Sequence, residues 1–167
     1  GPVGGGSYPP PAFKKYFLGE WRTEVIRKWT SNLLLKYNRN IKQIIKSNAL
    51  ILVANTDTLK IARKMGVVNA KLFIDVAIPD DFLPASIPRR MHHPVLKILW
   101  VGRIFPRKGL PLVLEALAQV RRDVQFHLTI IGDGTHGYLV PELLKTYKLD
   151  SRADWRGQVS WEEVKTA

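Results

Sequence analysis

Cysteine is absent from all 167 residues, which removes disulfides, thiolate metal sites and cysteine nucleophiles together. The absence also fits a reducing compartment. Long apolar runs are missing too. None approaches the roughly 20 residues needed to cross a bilayer, and no signal-peptide pattern opens the chain. Acidic residues are scarce: 14 Asp and Glu stand against 26 Lys and Arg, for a net charge of +12. The shortage is uneven. Residues 1–94 hold 15 basic against 6 acidic side chains, and residues 95–167 hold 11 against 8. Between Lys14 and Lys46 nine basic residues meet only Glu20 and Glu24. Such a block favours an anionic partner: nucleic acid, an acidic membrane surface or a phosphorylated substrate. The plain alternative is a solvated helix face.

What is present has the alternation of an α/β chain. "GPVGGGSYPPP" is loop by composition. From about Ala12 to Ser47 the pattern is helical, with Phe13, Phe17, Trp21, Val25 and Trp29 recurring every four residues on one stripe. Thr30, Ser31 and Asn32 offer a new N-cap, so two helices or one bent helix are expected, with the stripe packed into a core. "ALILVA" (49–54) reads as a strand buried on both faces. "NTDTLKIARKMG" reads as a helix capped by Asn55 or Thr56 and ended at Gly66 in the left-handed conformation. "AKLFIDVAI" (70–78) closes a βαβ unit.

Residues 79–94 carry four of the eleven prolines and no periodicity, as an interdomain linker would. The pattern then restarts. "LKILWV" reads as a buried strand. "GLPLVLEALAQV" reads as a helix with Leu110, Val113, Leu114, Leu117 and Val120 on one face. "VQFHLTIIG" is a strand, Gly137 to Tyr147 a helix, and "ADWRGQV" a third strand. This order calls for a parallel sheet. Residue 1 is not methionine, and Ser160 and Glu163 have capping-box spacing near the end. The chain therefore reads as a fragment lacking both natural ends, or as one whose Gly1-Pro2 is a tag remnant.

"WVGRIFPRKG" (Trp100–Gly109) lies where the first strand of the restarted sheet should end. Ligands of open α/β sheets bind beyond the carboxyl ends of the strands. Gly102 permits close backbone approach. Arg103 can grip two phosphate oxygens with its planar fork, and Lys108 adds a compact charge. The helix starting near Gly109 offers N–H groups and the positive end of its dipole. These features suit a diphosphate; a basic turn with no specific ligand is the equally weighted alternative.

"LKILWVGRIFPRKGLPLVLEALAQV", followed by "FHLTIIGDG" and "WRGQVSWEEV", resembles the opening of the C-terminal domain of retaining GT-B glycosyltransferases of group 1, the family 4 class. "GPVGGGSYPP", "ILVANTDT" and "FIDVAIPDDF" resemble parts of that family's N-terminal domain. Two departures stand out. Ser7 follows the glycines where an acidic residue is common, and "PDDF" replaces the familiar Asn-Gly-(Val/Ile)-Asp. The resemblance implies two Rossmann-like domains with parallel sheets in the GT-B arrangement, truncated at both ends. Residues 1–78 would be the later part of the acceptor-side domain, 79–94 the linker, and 95–167 the first part of the nucleotide-sugar domain.

The resemblance further implies a donor such as a UDP- or GDP-sugar. Gly102, Arg103 and Lys108 would sit at its diphosphate and stabilise charge on the leaving nucleoside diphosphate, with retention and no metal. Gly132 and Gly134 would belong to a loop at the donor cleft. Gly5, Gly6 and Asn55 are weaker acceptor-side candidates. The family's acidic pair, two Glu with seven residues between them, comes later in its C-terminal domain than this sequence reaches, so no catalytic residue is assigned and isolated residues 1–167 are expected to be inactive. Expected partners are the nucleotide sugar, a saccharide or lipid-linked acceptor and an anionic membrane contacted peripherally; nucleic acid is not expected. The resemblance places the enzyme in the cytoplasm, at the membrane where the acceptor is lipid-linked.

Two other readings compete. Basic and aromatic residues interleave over 14–46, as in a membrane-surface or nucleic-acid-binding module. Gly132 to Gly137 also satisfies G-x-G-x-x-G, the fingerprint of an NAD-binding protein. It follows the second strand of its sheet rather than the first, and no acidic residue ends the next strand, so an oxidoreductase is disfavoured. The histidines point to no metal: His92 and His93 lack a third ligand, His127 reads as packed within a strand, and His136 as an exposed loop residue.

Overall fold

The computed structural model describes residues 8–40, 43, 47, 50–73, 80, 86 and 94–166. The chain divides into two compact units. Residues up to Lys14 and from Gly19 to Leu83 form the first; Lys15–Leu18 and the residues from Pro84 onward form the second. Among the described residues no helix is long and apolar enough to cross a membrane.

In the first unit, helix α1 (Trp21–Tyr37) runs unbroken through Thr30-Ser31-Asn32. Thr30 does not cap. Its hydroxyl donates back to the carbonyls of Ile26 (3.0 Å) and Arg27 (3.1 Å), which keeps it inside the helix. The break falls earlier. Leu18 (φ 49°) and Gly19 (φ 88°) take positive φ and separate α1 from a 3-10 segment, Pro11–Phe17. The expected four-residue stripe is therefore two stripes. The first ends on Phe17, only 5% exposed; the second turns outward, with Val25 48% and Trp29 67% exposed. This corrects the core packing expected of α1. Its inward side is polar: Glu24 is buried and accepts hydrogen bonds from the Arg27 guanidinium, which lies 4.9 Å from the centre of the Tyr8 ring.

The βαβ unit forms, but Leu52 in its first strand is 51% exposed, so the burial on both faces expected of residues 49–54 is not met. β1 (Ile51–Val53) pairs in parallel with β2 (Ala70–Leu72) across helix α2 (Thr56–Lys64). Asn55 caps α2: its Oδ1 accepts the Thr58 N–H at 2.8 Å. At the far end Gly66 adopts φ 87°. There the Val67 N–H reaches the Ala62 carbonyl (3.1 Å) and the Gly66 N–H that of Arg63 (2.9 Å). This is the Schellman pattern, and Ala62 and Val67 make its apolar contact in a small core with Ala70. The rest of the expected strand, residues 74–78, and nearly all of the linker lie outside the described residues.

The second unit is a three-stranded parallel sheet in the order β3 (Leu96–Val101), β4 (Phe126–Ile131), β5 (Ala153–Trp155). Leu96 pairs with Phe126 and Val101 with Ile131; Leu128 pairs with Ala153. Helices α3 (Leu110–Ala118) and α4 (Val140–Thr146) contribute Leu110, Leu114, Val140 and Leu144 to one core with Phe126, Leu128 and Ile130. Leu117, on the helical face of α3, and Val120, just past its end, pack against that core. The opposite sheet face is open: Leu99 and Val101 are 43% and 48% exposed. The expectation that residues 96–101 form a buried strand is thus half met, because among the described residues helices cover one face only. A last helix, α5 (Trp161–Thr166), opens with the expected capping box. The Ser160 N–H donates to Glu163 Oε2 (2.9 Å), and the Glu163 N–H to Ser160 Oγ (3.2 Å).

Candidate functional site

The polypeptide leaves β3 at Gly102 and β4 at Gly132, and the two exits stay zipped together beyond the sheet. Gly102 N–H donates to the Ile131 carbonyl (3.0 Å), and Ile104 N–H to that of Asp133 (3.0 Å). The ladder then reverses direction, with His136 N–H donating to the Ile104 carbonyl at 3.3 Å. Ile104 anchors the loop, being 1% exposed and part of the core. Arg103, between these fixed points, is exposed.

The contact is close enough to demand glycine. Gly132 takes φ 123°, and a Cβ there would lie 2.0 Å from the Gly102 carbonyl oxygen. A Cβ on Gly134 would lie 2.5 Å from the Ile104 oxygen and 3.1 Å from Arg103 Cγ. The loop is shaped from outside as well. Asp133 Oδ1 accepts the Gly134 N–H (2.7 Å), and the Trp155 indole N–H reaches back from β5 to the Gly132 carbonyl (2.8 Å). Gly132 N–H donates to the Gly157 carbonyl at 2.7 Å, so three strand ends are tied at one point.

Above that point lies an open cleft of about 600 Å³. Gly102, Arg103, Gly132, Asp133 and Gly134 line it together with Gln158, Val159 and Val164. Four of the residues singled out in the sequence, Gly102, Arg103, Gly132 and Gly134, are therefore brought together. Lys108 is not among the lining residues; it ends a 3-10 turn, Pro106–Lys108, and is exposed. The helix terminus supplies fewer donors than expected. Pro111 has no N–H, and the Lys108 and Gly109 N–H groups already donate to the carbonyls of Phe105 (3.0 Å) and Pro106 (3.2 Å). Gly109 is in the left-handed conformation, φ 69°, which lets the turn pass directly into α3.

Other candidates fall elsewhere. Gly5, Gly6, His92 and His93 lie outside the described residues. Asn55 stands at a strand end in the first unit, beside Ala54, Thr56, Leu72 and Phe73, with its Oδ1 engaged in capping. Two histidine expectations are corrected. His127 is exposed on the open sheet face, with Nε2 2.6 Å from Asp154 Oδ1. His136 is buried, 7% exposed, because its backbone joins the zipper under Ile104. Burial pushes the Asp154 carboxyl up, but hydrogen bonds from His127 and Arg156 outweigh it and hold the group below the usual range. Among the described residues no group of three or more acidic or histidine side chains is placed to hold a metal. Sequence reasoning missed Trp155 and Asp133 as loop-shaping groups. Asp between two glycines was the available signal for Asp133; nothing local marked Trp155.

Residues 91–167 match the family of glycosyl transferases group 1. The phosphatidylinositol N-acetylglucosaminyltransferase GPI3 subunit of Saccharomyces cerevisiae (strain YJM789) is 24% identical over 146 residues, which is 82% of this chain and 30% of that protein. The same subunit from strain RM11-1a is 23% identical over the same length. Among solved structures, the apo form of the lipopolysaccharide outer core galactosyltransferase WaaB superposes with a TM-score of 0.58 at 20% identity, covering 78% of this chain and 37% of that one. A mutant of S. aureus TarM, in complex with Fondaparinux, alpha-GlcNAc-glycerol and UDP, gives 0.50 at 15% identity, covering 73% and 24%. The fold is thus α/β with parallel sheets of the GT-B glycosyltransferase type. The chain spans about a third or less of the length of these relatives.

Proposed function

We propose that the chain, whose residues 91–167 match the glycosyl transferases group 1 family, is part of both domains of a retaining glycosyltransferase that takes a nucleoside-diphosphate sugar. In this reading the second unit holds the donor, the first is acceptor-side, and residues 79–94 link them. The carrying observation is Arg103. It leaves β3 at the carboxyl end of the sheet, on a backbone fixed on both sides, and lines an open cleft among glycines. A planar guanidinium there meets a diphosphate with two parallel hydrogen bonds, and the glycines let the phosphates approach the backbone. Lys108 adds long-range attraction from outside the cleft lining rather than a fixed contact. As the glycosidic bond breaks, charge accumulates on the leaving diphosphate, and Arg103 is the group placed to stabilise it.

Titration calorimetry of UDP and GDP against the wild-type chain and Arg103→Ala tests this reading. Loss of a charge-assisted pair of hydrogen bonds should weaken binding by about tenfold to a hundredfold. Equal affinity for the two proteins refutes the role given to Arg103.

A second, compatible reading concerns α1. Val25, Ile26, Trp29, Leu33 and Tyr37 are all exposed on it, with Arg22 and Lys36 exposed among them. Apolar and basic groups so mixed suit the headgroup region of an anionic membrane, where a lipid-linked acceptor would lie. Sedimentation with phosphatidylserine vesicles at low and high salt, in the presence of the same Arg103→Ala protein, separates the two sites: vesicle binding should fall with salt and be unaffected by the substitution.

A further inference from the structure

The G-x-G loop after β4 is built to do something more specific than line the cleft. Glycine is required at Gly134 by contact and not by backbone twist, since its φ is not positive. The atoms that exclude a side chain there are those of the Arg103–Ile104 step: the Ile104 oxygen at 2.5 Å, the Ile104 nitrogen at 3.0 Å and Arg103 Cγ at 3.1 Å. Backbone atoms on a strand exit cannot yield as a flexible side-chain tip can. The same step is held by the loop through two hydrogen bonds, Ile104 N–H to Asp133 and His136 N–H to Ile104. A side chain at residue 134 would thus press on the Ile104 backbone and on Arg103 Cγ, and glycine there leaves the Arg103 side chain the room it occupies.

We propose that Gly134 is a positioning residue for Arg103, acting on the diphosphate through that side chain and not by touching the ligand. The proposal rests on the diphosphate reading of the cleft. It follows that a methyl group at residue 134 displaces Arg103 by pushing on Ile104 and Cγ, while leaving the charge of the cleft unchanged.

A double-substitution cycle tests it. UDP and GDP affinities are measured for wild type, Gly134→Ala, Arg103→Ala and the double variant, with a thermal melt of each. Gly134→Ala should weaken binding by about tenfold, in line with the cost of misplacing a binding group by an ångström or so, and should add nothing in the Arg103→Ala background. An equal loss in both backgrounds means that Gly134 acts on the ligand or the fold directly, and overturns the proposal; so does wild-type affinity in Gly134→Ala. A ligand-free readout keeps the two readings apart. In the Arg side-chain NMR spectrum, Gly134→Ala should shift the Arg103 Nε–H signal and leave that of Arg121 in place. An unmoved Arg103 signal overturns the proposal whatever the nucleotide does, whereas nucleotide binding that ignores Arg103 overturns the diphosphate reading instead. Should Gly134→Ala fail to fold, amide exchange in the wild type decides. Saturating UDP should slow exchange at Ile104 and His136 in wild type and not in Arg103→Ala, and unchanged exchange in the saturated wild type counts against the coupling.

Discussion

Leu128 and Leu99 sit on neighbouring strands of one sheet, and the structure gives them opposite fates. Leu128 on the central strand is 0% exposed, inside the core formed with α3 and α4; Leu99 on β3 is 43% exposed on the open face. Replacing Leu128 by alanine removes a fully buried isobutyl group and leaves a hole that close-packed neighbours on two strands and two helices cannot refill. The cost should be about 3–5 kcal/mol, transfer and cavity terms together. Replacing Leu99 gives up only part of a burial worth about 2 kcal/mol, and water fills the space, so the cost should stay near 1 kcal/mol. Urea unfolding followed by near-ultraviolet circular dichroism reads the difference. With a slope of about 1–2 kcal/mol per molar, the Leu128→Ala midpoint should fall by about 2 M or more, and that of Leu99→Ala by under about 1 M. Equal losses would mean that both sheet faces are covered in solution, and the one-sided core described above would be wrong.

Two further predictions concern polar groups. The Asp154 carboxyl is held below its ordinary range in the folded state. The unfolded state therefore binds more protons between the two pKa values, and the contribution of Asp154 is full above the unfolded value and is lost as pH falls through the folded one. Asp154→Asn should lower stability at neutral pH, where the contribution is full, and flatten the acid side of the stability-versus-pH curve, so that the two proteins converge at low pH; identical acid limbs refute the assignment. Asn55→Ala removes the cap of α2 and should cost about 1 kcal/mol, read as reduced amide-exchange protection at Thr58 and Leu59. Full protection in that variant would show that the Asn55 side chain serves something other than the helix.

Much of the architecture is legible locally because its signals are short-range. β3 and β4 follow from apolar runs bounded by glycine, and α2 from Asn55 at one end and Gly66 at the other. The ends of other elements carry no such mark. α4 finishes on Lys148 in a left-handed conformation (φ 56°), where composition offers no glycine to announce it. The break before α1 falls at Leu18–Gly19, and the cap-like Thr30 hid it by offering a nearer alternative. At the candidate site, Arg103 and the glycines stood out because a charge at a strand end and a tight turn are properties of residue type and spacing. The buried state of His136 and the reach of Trp155 to Gly132 did not, since both depend on partners tens of residues away or on another loop.

The sequence by itself therefore determines the alternation of strand and helix, the parallel pairing it implies, and the basic glycine-rich turn at the end of β3. Each of these is a matter of periodicity, φ preference and charge within a few neighbouring residues. Tertiary structure alone decides which sheet face is covered, that α1 turns its apolar side outward over a buried Glu24, and that Gly134 rather than Lys108 stands against Arg103. Those outcomes depend on which distant atoms arrive within contact range, and no local pattern encodes the 3.0 Å hydrogen bond from Ile104 to Asp133, about thirty positions away.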